Sequence, residues 1–205
     1  MSFLLRVSLP DVPGSLGRLA SAIGQAGGDI AAIEVVEKLA DGAAVDDVLL
    51  ELGPGVMPDS IVSACSAIDG VEVLWISRYA AAGNLFLDLE VVEELTAYPA
   101  EALDRVVGLL PVTFRVDWAA RVRPGGEVAR TTEAAPASVA WVDLDRPSRL
   151  PDDGDNVLCG APLDGDVIVL GRRGGPEFLD SELARLGHLL GLAQTISRAE
   201  SVRGQ

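Results

Sequence analysis

The chain has 205 residues, 49% of them hydrophobic, and its 31 acidic and 16 basic side chains give a formal net charge of −15. That length fits one large domain or two small ones, with ample apolar material for packed cores. The negative charge is shared between both halves of the chain and repels phosphate backbones, which argues against nucleic acid as a partner.

The first predicted strand and helix are joined by a proline-glycine corner. Apolar side chains alternate along residues 3–9, which predicts a half-buried strand. Pro13-Gly14 breaks that strand, and Ser15 is well placed to be the N-cap of the next helix. Apolar residues recur on one face of this helix, and Gly27-Gly28 is typical of a helix end.

Three more strands and a second helix complete the first half. Strands are predicted at 30–39 and 45–52, and Asp41-Gly42 between them suits a tight hairpin turn. Pro58 suits the first turn of the second helix, and alternation over 71–75 predicts the last strand. With both helices on one face, the other face and the edges of the sheet need cover, so we expect a homodimer.

This pattern resembles an ACT domain, a small-molecule sensing module, over residues 3–79. The resemblance rests on the stretch LRVSLPDVPGSLGRLASAIGQAGGDIAAIEVVE, with its Asp-x-Pro-Gly turn and Gly-Gly-Asp corner. It implies a ferredoxin-like βαββαβ fold and a ligand, often an amino acid, held between paired domains. The family's ligand contacts lie in the turn after the first strand and at the start of the second strand. In this chain those positions are Asp11, Val12, Pro13, Gly14, Ser15, Leu16, Gly28, Asp29 and Ile30.

The chemistry of these residues suits an amino acid in part. Gly14 leaves room for a ligand to approach the backbone, and amides at a helix start favour a carboxylate. Asp11 or Asp29 could accept hydrogen bonds from an ammonium group. The chain departs from serine-sensing members, which carry Asn at both of these positions and His in place of Leu9. The alternative is that the glycines serve only the turns of the fold.

The second half predicts another α+β domain. A linker is expected at 80–84, the domain at 85–198 and a flexible tail at 199–205. Within the domain we expect two helices before residue 111, strands near 114–118, 127–132 and 139–144, and a polar loop at 146–156. A hairpin at Asp164-Gly165 and a long last helix follow.

The end of the chain is similar to the close of a GAF domain, most clearly over residues 156–198. The matching residues are Pro162, Leu163, Gly165, Val169, Leu170, Gly171, Arg172, Phe178, Glu182, Leu183 and Leu186. The resemblance implies an antiparallel sheet with flanking helices. The part that would wall a GAF ligand pocket is short here, so we expect a scaffold for packing or dimer contacts. The GRRGG stretch at 171–175 fits a strand-to-helix connection better than a phosphate loop.

No catalytic constellation is evident. His188 is the single histidine and has no metal-ligand spacing around it, and the carboxylate pairs Asp46-Asp47 and Asp152-Asp153 are interpreted as solvated turn residues. Arg172 and Arg173 in the GRRGG stretch could hold an anion or simply solvate the loop. We therefore expect no catalytic residue, no metal and no cofactor.

Cysteine usage and hydropathy predict a soluble cytoplasmic protein. Cys65 and Cys159 are too few for a disulfide framework, which suits a reducing cytoplasm. The apolar run at 3–5 is too short for a signal peptide, and no stretch approaches the ~20 apolar residues that cross a bilayer.

Together these observations predict a cytoplasmic, non-catalytic regulatory protein. It would bind an amino acid or similar small metabolite at a dimer interface and act as an allosteric sensor on a protein that the sequence does not identify. The alternative is a structural protein whose ACT-like domain mediates dimerisation without a ligand.

Overall fold

The computed structural model describes residues 1–78 and 84–203. Contacts divide the chain into two compact units, Met1–Ala81 and Ala82–Gln205. Residues 80–83 of the predicted linker lie outside the described residues. Within the described residues the fold is mixed α/β, with two antiparallel sheets and five α-helices.

The first unit has the predicted order β-α-β-β-α-β. Its elements are β1 (Ser2–Pro10), α1 (Ser15–Gln25), β2 (Gly28–Lys38), β3 (Ala43–Leu52), α2 (Pro58–Ser66) and β4 (Glu72–Arg78). The strands form one sheet in the order β2-β3-β1-β4, and all neighbours are antiparallel. Strands β2 and β4 are therefore its edges.

The core of the first unit follows from the period-two pattern of its strands. Alternate apolar residues of β1 and β3 pack in one cluster with the buried faces of α1 and α2. The cluster comprises Phe3, Leu5, Val7, Leu9, Leu19, Ile23, Val48, Leu50, Leu52, Ile61 and Cys65.

The solvated-turn interpretation of Asp46-Asp47 is wrong. Both residues lie within β3, and their exposed fractions are 1% and 2%. Asp47 lies opposite Arg6 of β1, whose Nε and Nη2 donate to its two carboxylate oxygens at 2.7 and 3.0 Å. This bidentate pair explains how Asp47 is buried at the centre of the sheet.

The second unit places helices against a five-stranded sheet. Its elements are α3 (Asn84–Ala97), a 3-10 turn (Pro99–Glu101), α4 (Ala102–Phe114), β5 (Trp118–Val122), β6 (Val128–Thr131), β7 (Ser148–Asp153), β8 (Asn156–Leu163), β9 (Asp166–Arg173) and α5 (Asp180–Arg203). The strand order is β6-β5-β9-β8-β7, all antiparallel.

Several predicted boundaries in this unit need correction. The expected strand at 139–144 is irregular, whereas the expected polar loop at 146–156 contains β7. The strand expected from residue 114 begins at 118, because α4 continues through Pro111 to Phe114. Helix α5 includes residues 199–203, which the sequence assigned to a flexible tail.

Both faces of the second sheet are covered. Helices α4 and α5 contribute to the cluster that holds Ala119, Cys159 and Ile168 on one face. On the other face Val139 is buried against the sheet, and Trp141 packs against the same cluster. The irregular segment thus supplies core without pairing as a strand.

Arg172 is a structural residue, contrary to the expectation that it holds an anion or solvates its loop. Its guanidinium is buried and donates to the carbonyl of Phe114 at 3.0 Å and to Glu182 at 2.9 Å. Glu182 also accepts from the amide of Leu179. This network fixes the GRRGG connection and the start of α5 together.

Candidate functional site

A cavity of about 300 Å³ lies at the corner between β1 and α1. It contains all six residues that the sequence predicted for this corner. Its lining is Leu9, Pro10, Asp11, Val12, Pro13, Gly14, Ser15, Leu16, Val35, Ala44 and Asp46. The volume is at the lower end of the range for small-molecule sites, which suits a compact metabolite.

The other three predicted site residues lie at the opposite end of the sheet. Pro10 pairs with Ala43 at the start of β3, whereas Gly28 pairs with Leu52 at its end. The strand between these pairings is about 30 Å long. Within one chain, the 28–30 corner therefore does not meet the cavity.

The N-terminus of α1 faces this cavity without a side-chain cap. Gly14, with φ 94°, is the N-cap residue, and Ser15 is the first helical residue rather than the predicted cap. Ser15 donates its amide to the carbonyl of Val12 at 3.2 Å. Within the described residues the amides of Leu16 and Gly17 have no backbone or capping acceptor, so they can receive an anionic group.

Asp11 already has a cationic partner. The Nζ of Lys38, at the end of β2, donates to its Oδ2 at 2.7 Å. The hydrogen bond and charge of Asp11 raise the pKa of Lys38, so the amine stays protonated. Asp11 is therefore a weaker candidate for a ligand's ammonium group than the sequence suggested.

Asp46 is the residue of this site that the sequence interpretation missed. It is almost fully buried, and its Oδ1 has no hydrogen-bond partner among the described residues. Burial raises its pKa, the charges of Asp11 and Asp47 add to the rise, and Lys38 opposes it. The sequence does contain a sign of this, because residue 46 is an even-numbered position of β3, like the core residues Val48, Leu50 and Leu52.

The glycines of the two corners have different roles. Gly28 has a packing role, because a Cβ there would lie 2.8 Å from the side chain of Ile23. Gly27 has φ 90°, and its Cβ would meet Val56 at 2.9 Å. A Cβ on Gly14 would have nothing within 4 Å. The interpretation that glycines serve only the fold thus suits the second corner, while the space beside Gly14 is open.

Two other cavities fit a ligand less well. The larger, about 640 Å³, is lined by Met1, Phe3, Arg78 and the 52–59 segment, and it contains none of the predicted site residues. A groove of about 470 Å³ in the second unit is lined partly by Arg149, which already donates to the carbonyl of Phe178 and to Asp180.

Reactive groups are few in the part of the chain that the structure describes. No three His, Cys, Asp or Glu side chains there lie together as metal ligands. His188 is exposed on α5. Cys65 and Cys159 are both free and buried, and burial raises the pKa of each thiol, that of Cys65 to about 11. Such thiols are poor nucleophiles at neutral pH.

Over residues 1–78 and 84–203, no helix combines the length and the apolar character that crossing a bilayer requires.

Comparison with known proteins gives fold-level similarities only. No protein-family model and no curated protein matches the chain. Among solved structures, the GAF domain of an Acinetobacter phosphoenolpyruvate-protein phosphotransferase has 14% identity and a TM-score of 0.45, covering 62% of this chain and 99% of its own. The free methionine-R-sulfoxide reductase of Neisseria meningitidis, solved with its substrate, has 15% identity and a TM-score of 0.44, covering 62% and 97%.

A third structure, a formyltetrahydrofolate deformylase from Pseudomonas putida, has 9% identity and a TM-score of 0.31, covering 48% of this chain and 39% of its own. These scores are too low to carry an argument about function. The comparisons give no evidence for an ACT domain, so that assignment remains a prediction.

Proposed function

We propose that this chain is a non-catalytic regulatory protein whose first unit is an ACT domain that binds an amino acid or a similar small metabolite. The observation that carries the proposal is the cavity at the β1–α1 corner. Six residues chosen from sequence alone line it, and uncapped amides of α1 lie beside it. A carboxylate-bearing metabolite fits that environment.

The site is proposed to be completed by a second copy of the chain. The cavity and the 28–30 corner lie at opposite ends of the sheet, so a two-fold arrangement can bring one copy's corner to the other's cavity. Strand β2 is an edge, and Ile33 and Val35 on it are 36% and 48% exposed. An apolar edge of this kind favours pairing with another strand.

Regulation would follow from a preference of the ligand for one dimer arrangement. A ligand shifts an equilibrium only by its difference in affinity for the two states. A ligand that bridges two copies has this property, because only the paired arrangement offers both halves of the site. The second unit, whose sheet is covered on both faces, is proposed to be a GAF-like scaffold that supplies packing or dimer contacts.

The second candidate is a structural protein that dimerises without a ligand. The exposed apolar edge of β2 favours it, since pairing along that edge needs no metabolite. The two candidates differ in whether a small molecule stabilises the native state.

The test is the melting temperature of the full chain with each of the twenty amino acids in turn. A ligand at 100 times its dissociation constant adds about 2.7 kcal/mol to the free energy of unfolding, which a thermal shift detects. Leu16→Glu is the diagnostic variant. A carboxylate in the first turn of α1 stabilises the helix but occupies the amides that a ligand's carboxylate needs.

We expect Leu16→Glu to keep or raise the melting temperature of the free protein and to abolish the ligand response. Gly24→Ala is the control, because Gly24 lies in α1 away from the cavity and a Cβ there meets nothing within 4 Å. It should retain the response. No response from the wild-type chain, together with an intact dimer, would favour the structural candidate.

A further inference from the structure

We propose that Asp46 accepts a primary ammonium group of the ligand, so that the cavity selects molecules that carry an amine. This inference rests on the proposed function, because it assigns a role within the same cavity. Asp46 lies on β3 at the floor of the site and lines the cavity, although it belongs to neither segment that the family resemblance indicated.

The two neighbouring buried carboxylates, Asp46 and Asp47, differ in their partners. Asp47 has a bidentate arginine from its own chain, Arg6. Asp46 is equally buried, yet its Oδ1 has no hydrogen-bond donor among the described residues. An unpartnered buried carboxylate destabilises a fold, so its presence calls for a partner that the free chain does not supply.

The charges around Asp46 do not balance its own. The charged groups that act on it are Asp11 from the corner, Lys38 from β2 and, from the opposite face of its own strand, Asp47. Lys38 is held by Asp11, and Asp47 is neutralised by Arg6. On α1, Arg18 donates to Ser15 Oγ. One negative charge remains for a ligand to balance, and a single ammonium group does so.

The two polar ends of the cavity suit groups of opposite charge. The free amides of α1 suit an anion, and the buried carboxylate suits a cation. Between them lie apolar walls that include Leu9, Val35 and Ala44. A small molecule with an ammonium, a carboxylate and a compact apolar body satisfies all three surfaces.

The experiment compares probes that share a carbon skeleton but differ in charge. The full chain is titrated with alanine, valine, leucine and serine, with the amines that lack their carboxylate, and with the acids that lack their ammonium group. Melting temperature and calorimetric affinity are recorded for the wild type, Asp46→Asn and Asp152→Asn. The last variant removes one exposed charge from the second unit and is the control.

We expect the amino acids and the amines to stabilise the wild type, and the acids to have a much smaller effect. Asp46→Asn should raise the melting temperature of the free protein at pH 7 and weaken amine binding about 100-fold. Asp152→Asn should bind as the wild type does. Amine affinity should also fall as the pH is lowered through the raised pKa of Asp46.

The possible failures are distinct. Amino-acid binding that Leu16→Glu abolishes but Asp46→Asn leaves intact would overturn this inference and keep the proposed function. Stabilisation by amines without any response to amino acids would support the role of Asp46 and overturn the amino-acid sensor. Acids that bind as tightly as the amino acids, or no response to any probe, would overturn the ammonium site, as would an Asp46→Asn chain that fails to fold.

Discussion

The adjacent aspartates of β3, Asp46 and Asp47, lie on opposite faces of the sheet and differ in their hydrogen-bond partners. Strand geometry points Asp47 to one face of the sheet, where Arg6 meets it, and Asp46 to the face that carries the helices. A carboxylate among core positions, without a cation bonded to it, is the local inconsistency that often marks a functional residue. The role proposed for Asp46 follows from this burial rather than from a sequence motif.

The free energy of unfolding of the ligand-free protein should depend on pH through the titration of Asp46. The pKa of the Asp46 carboxyl is higher in the folded chain than in the unfolded chain. The stability that this carboxyl contributes is therefore fully present below its unfolded pKa of about 4, and is lost as the pH rises through its folded pKa. Asp46→Asn should therefore match the wild type at low pH and exceed it in free energy of unfolding at neutral pH. Urea unfolding from about pH 4 to 8 measures this difference. Parallel pH profiles for the two proteins would contradict it.

Gly171 should be required for packing in the second unit. A Cβ at this position would lie 2.1 Å from the indole of Trp118, so Gly171→Ala should cost about 3 kcal/mol of stability or more. Gly191→Ala, in α5, is the matched change, because a Cβ there meets nothing within 4 Å and helix propensity favours alanine. Calorimetry should show a large loss for the first variant and a small gain for the second. Equal effects would refute the assigned contact.

At the scale of elements, ion pairs join the helices of the second unit. Arg185 of α5 makes a bidentate pair with Asp88 of α3, with separations of 2.6 to 3.0 Å, and also donates to the carbonyl of Thr113 in α4. Three helices are thus linked through one guanidinium. The more exposed pair of Arg198 with Asp164 makes a single contact at 2.8 Å.

Replacing each arginine in turn should show how much the two ion pairs differ in their contribution to stability. Arg185→Met should reduce the free energy of unfolding by about 1–2 kcal/mol, because it removes charge-assisted bonds to two elements. Arg198→Met should change it by less than about 0.5 kcal/mol, since exposed pairs contribute little. Denaturant unfolding of both variants gives the comparison. A larger loss for Arg198→Met would show that the Arg185 link is not structural.

The elements differ in how far the sequence predicted them. Alternation predicted β1 and β4, and glycine and proline corners marked the end of β3 and placed α1 and α2 close to their observed bounds. The second unit was harder, because residues 139–144 pack on the sheet without pairing, whereas Leu150 in a polar stretch pairs with Leu158. A local hydrophobic pattern predicts which residues are buried, but whether a segment pairs as a strand also depends on which other strand lies beside it.

The candidate site was predicted in part for a similar reason. The corner residues 11–16 do line a cavity, because a local turn motif determines their position. Asp46 was missed because its importance depends on a distant segment folding over it. The separation of the 28–30 corner from the cavity is likewise a property of strand register, which no single motif contains.

At the scale of the whole molecule, the proposed shared site requires two copies of the chain to pair through the first unit. Ile33→Lys places a charge on the exposed apolar edge of β2 and should convert the proposed dimer to monomers. Val202→Lys, on the exposed last turn of α5, is the control. Sedimentation velocity measures the outcome, and circular dichroism checks that each variant is folded. A dimer that survives Ile33→Lys would place the interface elsewhere.

A mixing experiment between Leu16→Glu and Asp29→Ala chains tests most directly whether two copies of the chain share one ligand site. Each variant alone, dialysed against a mixture of all twenty amino acids, should retain none, because every bridging site lacks one of its two halves. After the variants are mixed and re-equilibrated, each heterodimer should regain one intact site, so mass spectrometry should find one amino acid bound at a clear fraction of the wild-type level. Binding by either variant alone, or no recovery after mixing when the wild type binds, would contradict a ligand site shared between two copies of this chain.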